Sequence, residues 1–356
     1  MSGIEQLLQQ PAGFLAQSGA ESDVVISTRI RLARNLRQFN FPVASTPEER
    51  IEICAIVDEA AGFSDELGKN GMLEFYLQEL SGVEREILRE RHLSSRDHIG
   101  RAQGAMLLCS SDESVSVMVN EEDHLRLQLL KPGLQLEEAW KSIDRLDNEL
   151  GEHLAYAFDD RLGYLSCCPT NTGTGMRASV MLHLPALALS GVIPATLNGI
   201  AQLNLTVRGL WGEGSSNCGN LFQVSNKFTL GEKEQSLISE LAQVVDQLIQ
   251  QERSARKLLL AKVQSKLLDH IGRSYGILRY SYLLDLQEAC DALSMVRLGV
   301  DMGMFRSIDL ERLNDMMVTV NPGHLQKYFQ REIPEQEQPQ FRAAYCREQL
   351  KKAKKR

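Results

Sequence analysis

The chain has 356 residues, 43% of them hydrophobic and 24% charged, with a formal net charge of −8. Such a length and composition describe an ordinary soluble globular protein with room for one large core and a smaller second domain. The acidic balance excludes direct nucleic-acid binding through bulk electrostatics. Seven scattered cysteines without paired CxxC spacing fit reduced thiols in the cytoplasm better than a disulfide framework.

Residues 1–22 read as a short helix and a linker closed by Gly19, with no secretory pattern of basic and then apolar residues. From Asp23 the pattern turns strand-like, and alternation over Thr28–Leu32 puts Arg29 and Arg31 on one face. Two arginines so placed make either a solvated face or an anion clamp. Thr46, Pro47, Glu48 and Glu49 open a capped helix over 47–61. A helical reading continues over 66–92 with a break near Gly82, and His92 falls in a polar stretch that reads as surface. Gly104–Cys109 and Ser114–Val119 predict a hairpin, Leu125–Leu130 a further strand, and Glu137–Phe158 a long amphipathic helix.

Asn120-Glu121-Glu122-Asp123-His124-Leu125-Arg126 puts three consecutive acids directly behind an apolar strand. Adjacent carboxylates repel, so a fold keeps them together only against solvent, a cation or a metal. Further on, Tyr164–Ser179 runs from a short strand into a loop of Gly, Thr and Asn, with Arg177 at the entrance to the next apolar segment. The loop's amides could cradle an anion, although it has neither Walker nor dinucleotide spacing. Met181–Leu197 is apolar but broken by His183, Pro185, Gly191 and Pro194, which excludes a membrane span. The glycine-rich segment from Gly209 to Asn220 separates predicted strands Gln202–Arg208 and Leu221–Lys227. It is too long for a tight hairpin and reads as a functional loop. Glu232–Leu268 is helical, and beyond about residue 258 strand signals stop: Leu258–Leu268, Leu283–Leu298, Asp309–Val318 and Gln340–Lys351 all read as helices. The basic tail Lys351–Arg356 reads as a solvated end.

Arg29, Arg31, Arg126, Arg177 and Arg208 thus each lie on or at the end of a predicted strand. Five guanidinium groups converging on one sheet need a polyanion, and a nucleoside triphosphate supplies one that planar forks match in bidentate fashion. Glu122 and Glu213 lie in loops beside two of these arginines, and Cys168 precedes a proline at a strand end. A pair of carboxylates can hold a guanidinium from two sides. Its very high pKa makes it a poor nucleophile, so a carboxylate aligned on the attacking nitrogen would act as general base.

Ser27-Thr28-Arg29-Ile30-Arg31, Asn120–His124, Cys168-Pro169-Thr170-Asn171 and Arg208-Gly209-Leu210-Trp211-Gly212-Glu213 resemble, in this order, the signatures of the phosphagen (guanidino) kinases. The resemblance covers most of 23–255. It implies an α+β fold, a largely antiparallel sheet flanked by helices of the glutamine-synthetase-like kind, followed by an all-helical C-terminal domain. The implied division is an N-terminal extension over 1–22, a catalytic domain over 23–255 and a helical domain over 256–356. The helical domain that precedes the first strand in creatine and free-arginine kinases has no counterpart here. With Ser274-Tyr275-Gly276 and Val296-Arg297-Leu298-Gly299, this makes the chain most similar to bacterial protein arginine kinases of the McsB type.

That likeness implies transfer of the γ-phosphoryl of ATP, with Mg²⁺ held mainly by the phosphates and water, to arginine side chains of proteins. It assigns Glu122 and Glu213 to the guanidinium, with Glu122 or the pair as base, and Cys168 to the family's reactive cysteine. Ser27–Arg31, His92, Arg126, Arg177, Ala178, Ser179, Val180, Met181 and Arg208–Glu213 correspond to the ATP-binding segments. Glu121, Asp123 and His124 are read as support. The family's Arg-Asp-x-x-Arg-Ala phosphoarginine motif departs here to Gln338-Pro339-Gln340-Phe341-Arg342-Ala343, which keeps Arg342 and removes the acid, so phosphoarginine sensing in its usual form is not expected. Implied partners are protein substrates, a zinc-containing activator, a Clp chaperone–protease and a second copy of the chain. Two alternatives are a small-molecule arginine kinase and a non-catalytic phosphoarginine or chaperone adaptor.

Overall fold

Period-two alternation of apolar and polar side chains builds a sheet with one dry and one charged face. The computed structural model describes residues 3–15, 19–68, 71–101, 103–209, 218–305 and 308–352. In chain order, α1 (Gly3–Leu8) leads through a 3₁₀ turn to β1 (Val25–Arg34), α2 (Pro47–Ala61), α3 (Asp65–Gly68) and β2 (Met72–Tyr76). There follow α4 (Gly82–Glu90), α5 (Arg96–Gly100), β3 (Met106–Ser110), β4 (Val115–Val119), β5 (Leu125–Pro132) and α6 (Leu136–Gly151). The small ribbon β6 (Phe158–Asp159) and β7 (Gly163–Tyr164) precedes β8 (Met176–His183), α7 (Pro185–Leu189), α8 (Ile193–Ala201), β9 (Leu205–Gly209) and β10 (Leu221–Asn226). Helices close the chain: α9 (Glu234–Tyr280), α10 (Leu286–Asp301), α11 (Leu310–Thr319), α12 (Pro322–Tyr328) and α13 (Gln338–Lys352).

Among the described residues the main sheet has eight strands in the order β2-β3-β4-β5-β1-β8-β10-β9, and every pairing is antiparallel. Its dry face presents Ile30, Leu32, Leu125, Leu127, Ala178, Val180 and Val224, packed under α2, α6 and the first half of α9. Helix α2 starts as the sequence predicts. Thr46 accepts from the Glu49 amide at 3.2 Å and Glu49 accepts from the Thr46 amide at 2.8 Å, a reciprocal cap. A separate core gathers the C-terminal helices around Leu293, Val296, Leu313, Leu325 and Tyr345. Helix α9 passes from the first core to the second and departs from helical geometry at Val263 (φ −138°, ψ 35°).

Three expectations on secondary structure change. The predicted helix over 66–92 is interrupted by β2, which pairs with β3 from Met72↔Ser110 to Tyr76↔Met106. A short run flanked by helical residues carries too little periodicity to betray an edge strand. The helix predicted to reach Phe158 ends at Gly151, and Phe158 lies in β6. The strand predicted from Gln202 starts at Leu205, because α8 occupies Ile193–Ala201. No helix among the described residues is long and apolar enough to cross a membrane.

Candidate active site

Register decides which arginines meet. Arg31 lies opposite Arg177 on β8 and Gln128 on β5, and Arg29 lies opposite Ser179. Gln223 on β10 pairs with Met181 and with Arg208 on β9. Residues opposite one another share a face, so Ser27, Arg29, Arg31, Gln128, Arg177, Ser179, Met181, Arg208, Gln223 and Ser225 line the face turned away from the main core. Arg126, opposite Ala33, joins them from β5. Thr28, Ile30, Ala178 and Val180 point the other way, into the core, and belong to this surface through their backbone only.

The charged face is crowded. Arg29 donates to Gln223 at 2.8 Å, and Arg177 donates to Ser225 and Thr206 at 3.1 and 3.2 Å. Loss of hydration, then repulsion by Arg177 and Arg126, pulls Arg29 down to about 10. Burial, then Arg29, Arg126 and Arg177, pulls Arg31 well below the ordinary range, with Glu121 opposing. Arg31 Nε is buried without a hydrogen-bond partner among the described residues. Half-buried like charges at a partly unsatisfied donor are costly to hold and fit a polyanion with several phosphate oxygens.

His92 overturns its reading as a surface residue. It closes α4 in the left-handed region (φ 59°), and its ring meets Phe14 edge-on at 4.6 Å. Burial, then Arg29 and Arg89, drives its pKa to about 3, so the imidazole is neutral at physiological pH. A small cavity beside it is lined by Ile26, Met181 and Leu221.

The acidic stretch divides its three carboxylates. Glu121 and Asp123 are buried, whereas the Glu122 side chain is 44% exposed. Glu121 pairs with Arg126 at 2.6 Å and accepts from Ser95. Burial pushes the Glu121 carboxyl up, but Arg126, the Ser95 hydroxyl and His98 outweigh it, and the net shift is downward. Glu122 reaches Arg126 at a looser 3.2 Å. Asp123 accepts from Asn35 at 2.6 Å, the Ser166 hydroxyl at 2.7 Å and the Cys167 amide at 2.8 Å. His124 accepts from the Leu36 amide and faces the Asn40 carbonyl. Asn120 opens the turn at φ 61°.

Asp123 therefore ties the acidic turn to the loop that carries Cys168. Ser166 Oγ in turn accepts from the Cys168 amide at 3.1 Å, and the half-buried Cys168 thiol lies 3.0 Å from Thr170 Oγ1. The glycines that follow are explained by close packing rather than by an anion cradle. A Cβ on Gly173 (φ 113°) would lie 2.6 Å from the Thr229 carbonyl oxygen, and one on Gly175 (φ 66°) 2.6 Å from Arg34 Nη1. The Thr229 hydroxyl stands within hydrogen-bond reach of the carbonyls of Thr170 and Thr172. Arg34 pairs with Asp147 at 2.6 Å and donates to the Thr174 carbonyl. Asn35, Gln223, Thr229 and Arg34 belong to none of the sequence motifs. Only Gln223 and Ser225, at i and i+2 of one strand, left a readable polar alternation.

Leu210, Trp211, Gly212 and Glu213 lie outside the described residues, while Arg208 and Gly209 end β9. Arg342 is buried in α13, where Nε donates to the Val320 carbonyl at 2.7 Å and Nη1 to the Leu284 carbonyl at 3.1 Å. Its guanidinium is committed to backbone.

The family pattern described as ATP:guanido phosphotransferase, C-terminal catalytic domain, matches residues 54–255. That described as protein-arginine kinase McsB C-terminal domain matches 264–356. The chain belongs to the protein-arginine kinase family of ATP:guanido phosphotransferases. The protein-arginine kinase of Geobacillus sp. (strain WCH70) is 46% identical over 96% of this chain and 94% of its own. That of Brevibacillus brevis is 43% identical over 98% of each. Among solved structures, the duplicated taurocyamine kinase from Schistosoma mansoni with bound transition state analog components is similar at TM-score 0.59 and 30% identity, over 65% of this chain and 33% of that one. Lombricine kinase matches at TM-score 0.59 and 25% identity over 70% of each chain. These likenesses place the protein-arginine kinase fold on a large antiparallel sheet flanked by helices, and the family makes the chain an ATP-dependent kinase.

Proposed function

We propose that the protein transfers the γ-phosphoryl group of ATP to a guanidinium nitrogen of arginine side chains in proteins. The observation that carries this reading is the junction at the acidic turn. Glu122, half in solvent, stands between the arginine face on one side and the Cys168 loop, bound through Asp123, on the other.

Arg29, Arg31, Arg126, Arg177 and Arg208 would take the triphosphate, and His92 with Met181 the base end of the nucleotide. Mg²⁺, held mainly by the phosphates and water, would neutralise charge on the transferred group. Glu122 with Glu213 would grip the incoming guanidinium from two sides. The loose contact between Glu122 and Arg126 is one that a substrate guanidinium can replace. A nitrogen–phosphorus bond forms as the bond between the γ-phosphorus and its bridging oxygen breaks. The nitrogen's proton passes to the carboxylate, and ADP leaves. Cys168 would sit beside the substrate nitrogens. A division near 255/256 is supported by the separate core of the C-terminal helices and by where the two family patterns fall. Seven free cysteines support a reducing, cytoplasmic setting.

Incubation with an arginine-bearing protein, ATP and Mg²⁺ should yield acid-labile phosphate on arginine. Its absence from a folded preparation overturns the reading, and preferential consumption of free arginine favours a phosphagen kinase instead. Glu122→Gln should lower kcat by roughly 10²–10⁴-fold, the range of a lost general base.

A further inference from the structure

The loop between β1 and α2 bears on how a polypeptide would reach this site. His124 of the acidic turn faces the Asn40 carbonyl at 2.9 Å, and its ring lies edge-on to Phe39 and Phe41 at 6.3 and 6.1 Å. The loop folds back on itself, with the amides of Ala44 and Ser45 donating to the Phe41 carbonyl and Ser45 Oγ to that of Pro42. On this braced turn Val43 is 86% exposed, the highest value of any large hydrophobic among the described residues. Its backbone amide faces the Cys167 thiol, a group that also feels the charge of Glu122. A single exposed valine is unremarkable by itself. A valine held outward at the mouth of a candidate active site, on a loop anchored to the acidic turn, is not.

An arginine whose guanidinium reaches Glu122 brings its own backbone to within one side-chain length of that carboxylate. Extended neighbours then follow at about 3.3 Å per residue, so residues flanking the arginine must pass over the rim of the site. We propose that the loop Phe39–Ser45 is a docking rim for the polypeptide that carries the target arginine, with Val43 contacting an apolar residue next to it. This rests on the kinase reading above and assigns that site a preference for local sequence.

The test compares the full-length enzyme and its Val43→Asp, Val43→Ser and Val43→Ile variants. Two peptides are used, each with one arginine flanked by leucine or by serine, with phosphoarginine formation as the readout. Wild type should favour the leucine-flanked peptide. Val43→Asp and Val43→Ser should raise KM for that peptide roughly five-fold, the loss expected when a half-covered valine contact is removed. The kcat at saturating peptide and the KM for ATP should hold, and Val43→Ile should retain the preference. Equal KM values in all four proteins overturn the proposal. So does a fall in kcat or a rise in KM for ATP alongside the peptide effect, since the loop would then serve the active site itself. If wild type phosphorylates neither peptide nor protein arginine, the kinase reading fails first and the rim with it.

Discussion

Asp123 illustrates how one side chain holds a site together. Its two oxygens take donors from Asn35, just past the end of β1, from the Ser166 hydroxyl and from the Cys167 amide, and the carboxylate itself is buried. Asp123→Ala removes both acceptor oxygens and takes this partner from the Asn35 side-chain amide and the Cys167 N–H. Unfolding in denaturant should show a loss of about 1–3 kcal/mol, the cost of leaving buried polar groups unpaired. Phosphoryl transfer should fall while the KM for ATP holds, because the arginine face does not depend on this residue. The acids Glu121, Glu122 and Asp123 look equivalent in the sequence. Only the fold, by burying the outer two and leaving the middle one half exposed, gives them different surroundings.

At the scale of elements, legibility followed periodicity. β1 and α2 were readable because alternation and a capping box are local signals, and the structure repeats both. β2 was hidden because five residues at an edge carry no usable period. The loop from Cys168 to Gly175 was readable as a loop, but its glycines had two physical explanations, anion cradle or close packing, and only contacts with Thr229 and Arg34 separate them. Gly173→Ala should therefore destabilise the protein by about 1–3 kcal/mol, since a non-glycine residue would be strained there and its Cβ would overlap the Thr229 carbonyl. Thermal unfolding checks this. By contrast Thr46→Ala removes only the cap of α2 and should cost about 0.5–2 kcal/mol.

Across the whole molecule, buried charges join the sheet to the C-terminal helices. Glu90 at the end of α4 accepts from the Gly323 and His324 amides at 2.7 and 2.9 Å, and Arg297 of α10 donates to the Ser22 carbonyl at 3.0 Å. Arg256 of α9 lies 3.7 Å from Asp23 and 3.8 Å from Asp301, whose Oδ2 has no hydrogen-bond partner among the described residues. Burial lifts the Asp301 carboxyl to about 6, against the pull of Arg297 and Arg256. A raised folded-state pKa means that the folded protein keeps this proton while the unfolded chain loses it. Stability from this group is fully present below about pH 4 and is lost as pH rises to about 6, after which the deficit is constant. Asp301→Asn should consequently stabilise the protein at pH 7.5 by about 1–3 kcal/mol and have little effect at pH 4. A denaturant series at the two pH values distinguishes this from a loss of packing, which would appear at both.

The linear order of residues was enough to establish the strands and helices that carry a period, the caps, the set of arginines on strands and the four motifs of the guanidino kinases. These are properties of near neighbours, and near neighbours are what a sequence displays. Tertiary structure decided that β1, β8, β10 and β9 lie side by side in a register that turns Arg29, Arg31, Arg177 and Arg208 to one face. It also decided that His92 is packed beside that face, that Arg342 is spent on backbone carbonyls, and that Asp123 joins two loops 43 residues apart. Strand order, burial and hydrogen bonds between distant segments arise only when the chain closes on itself, so no local pattern encodes them.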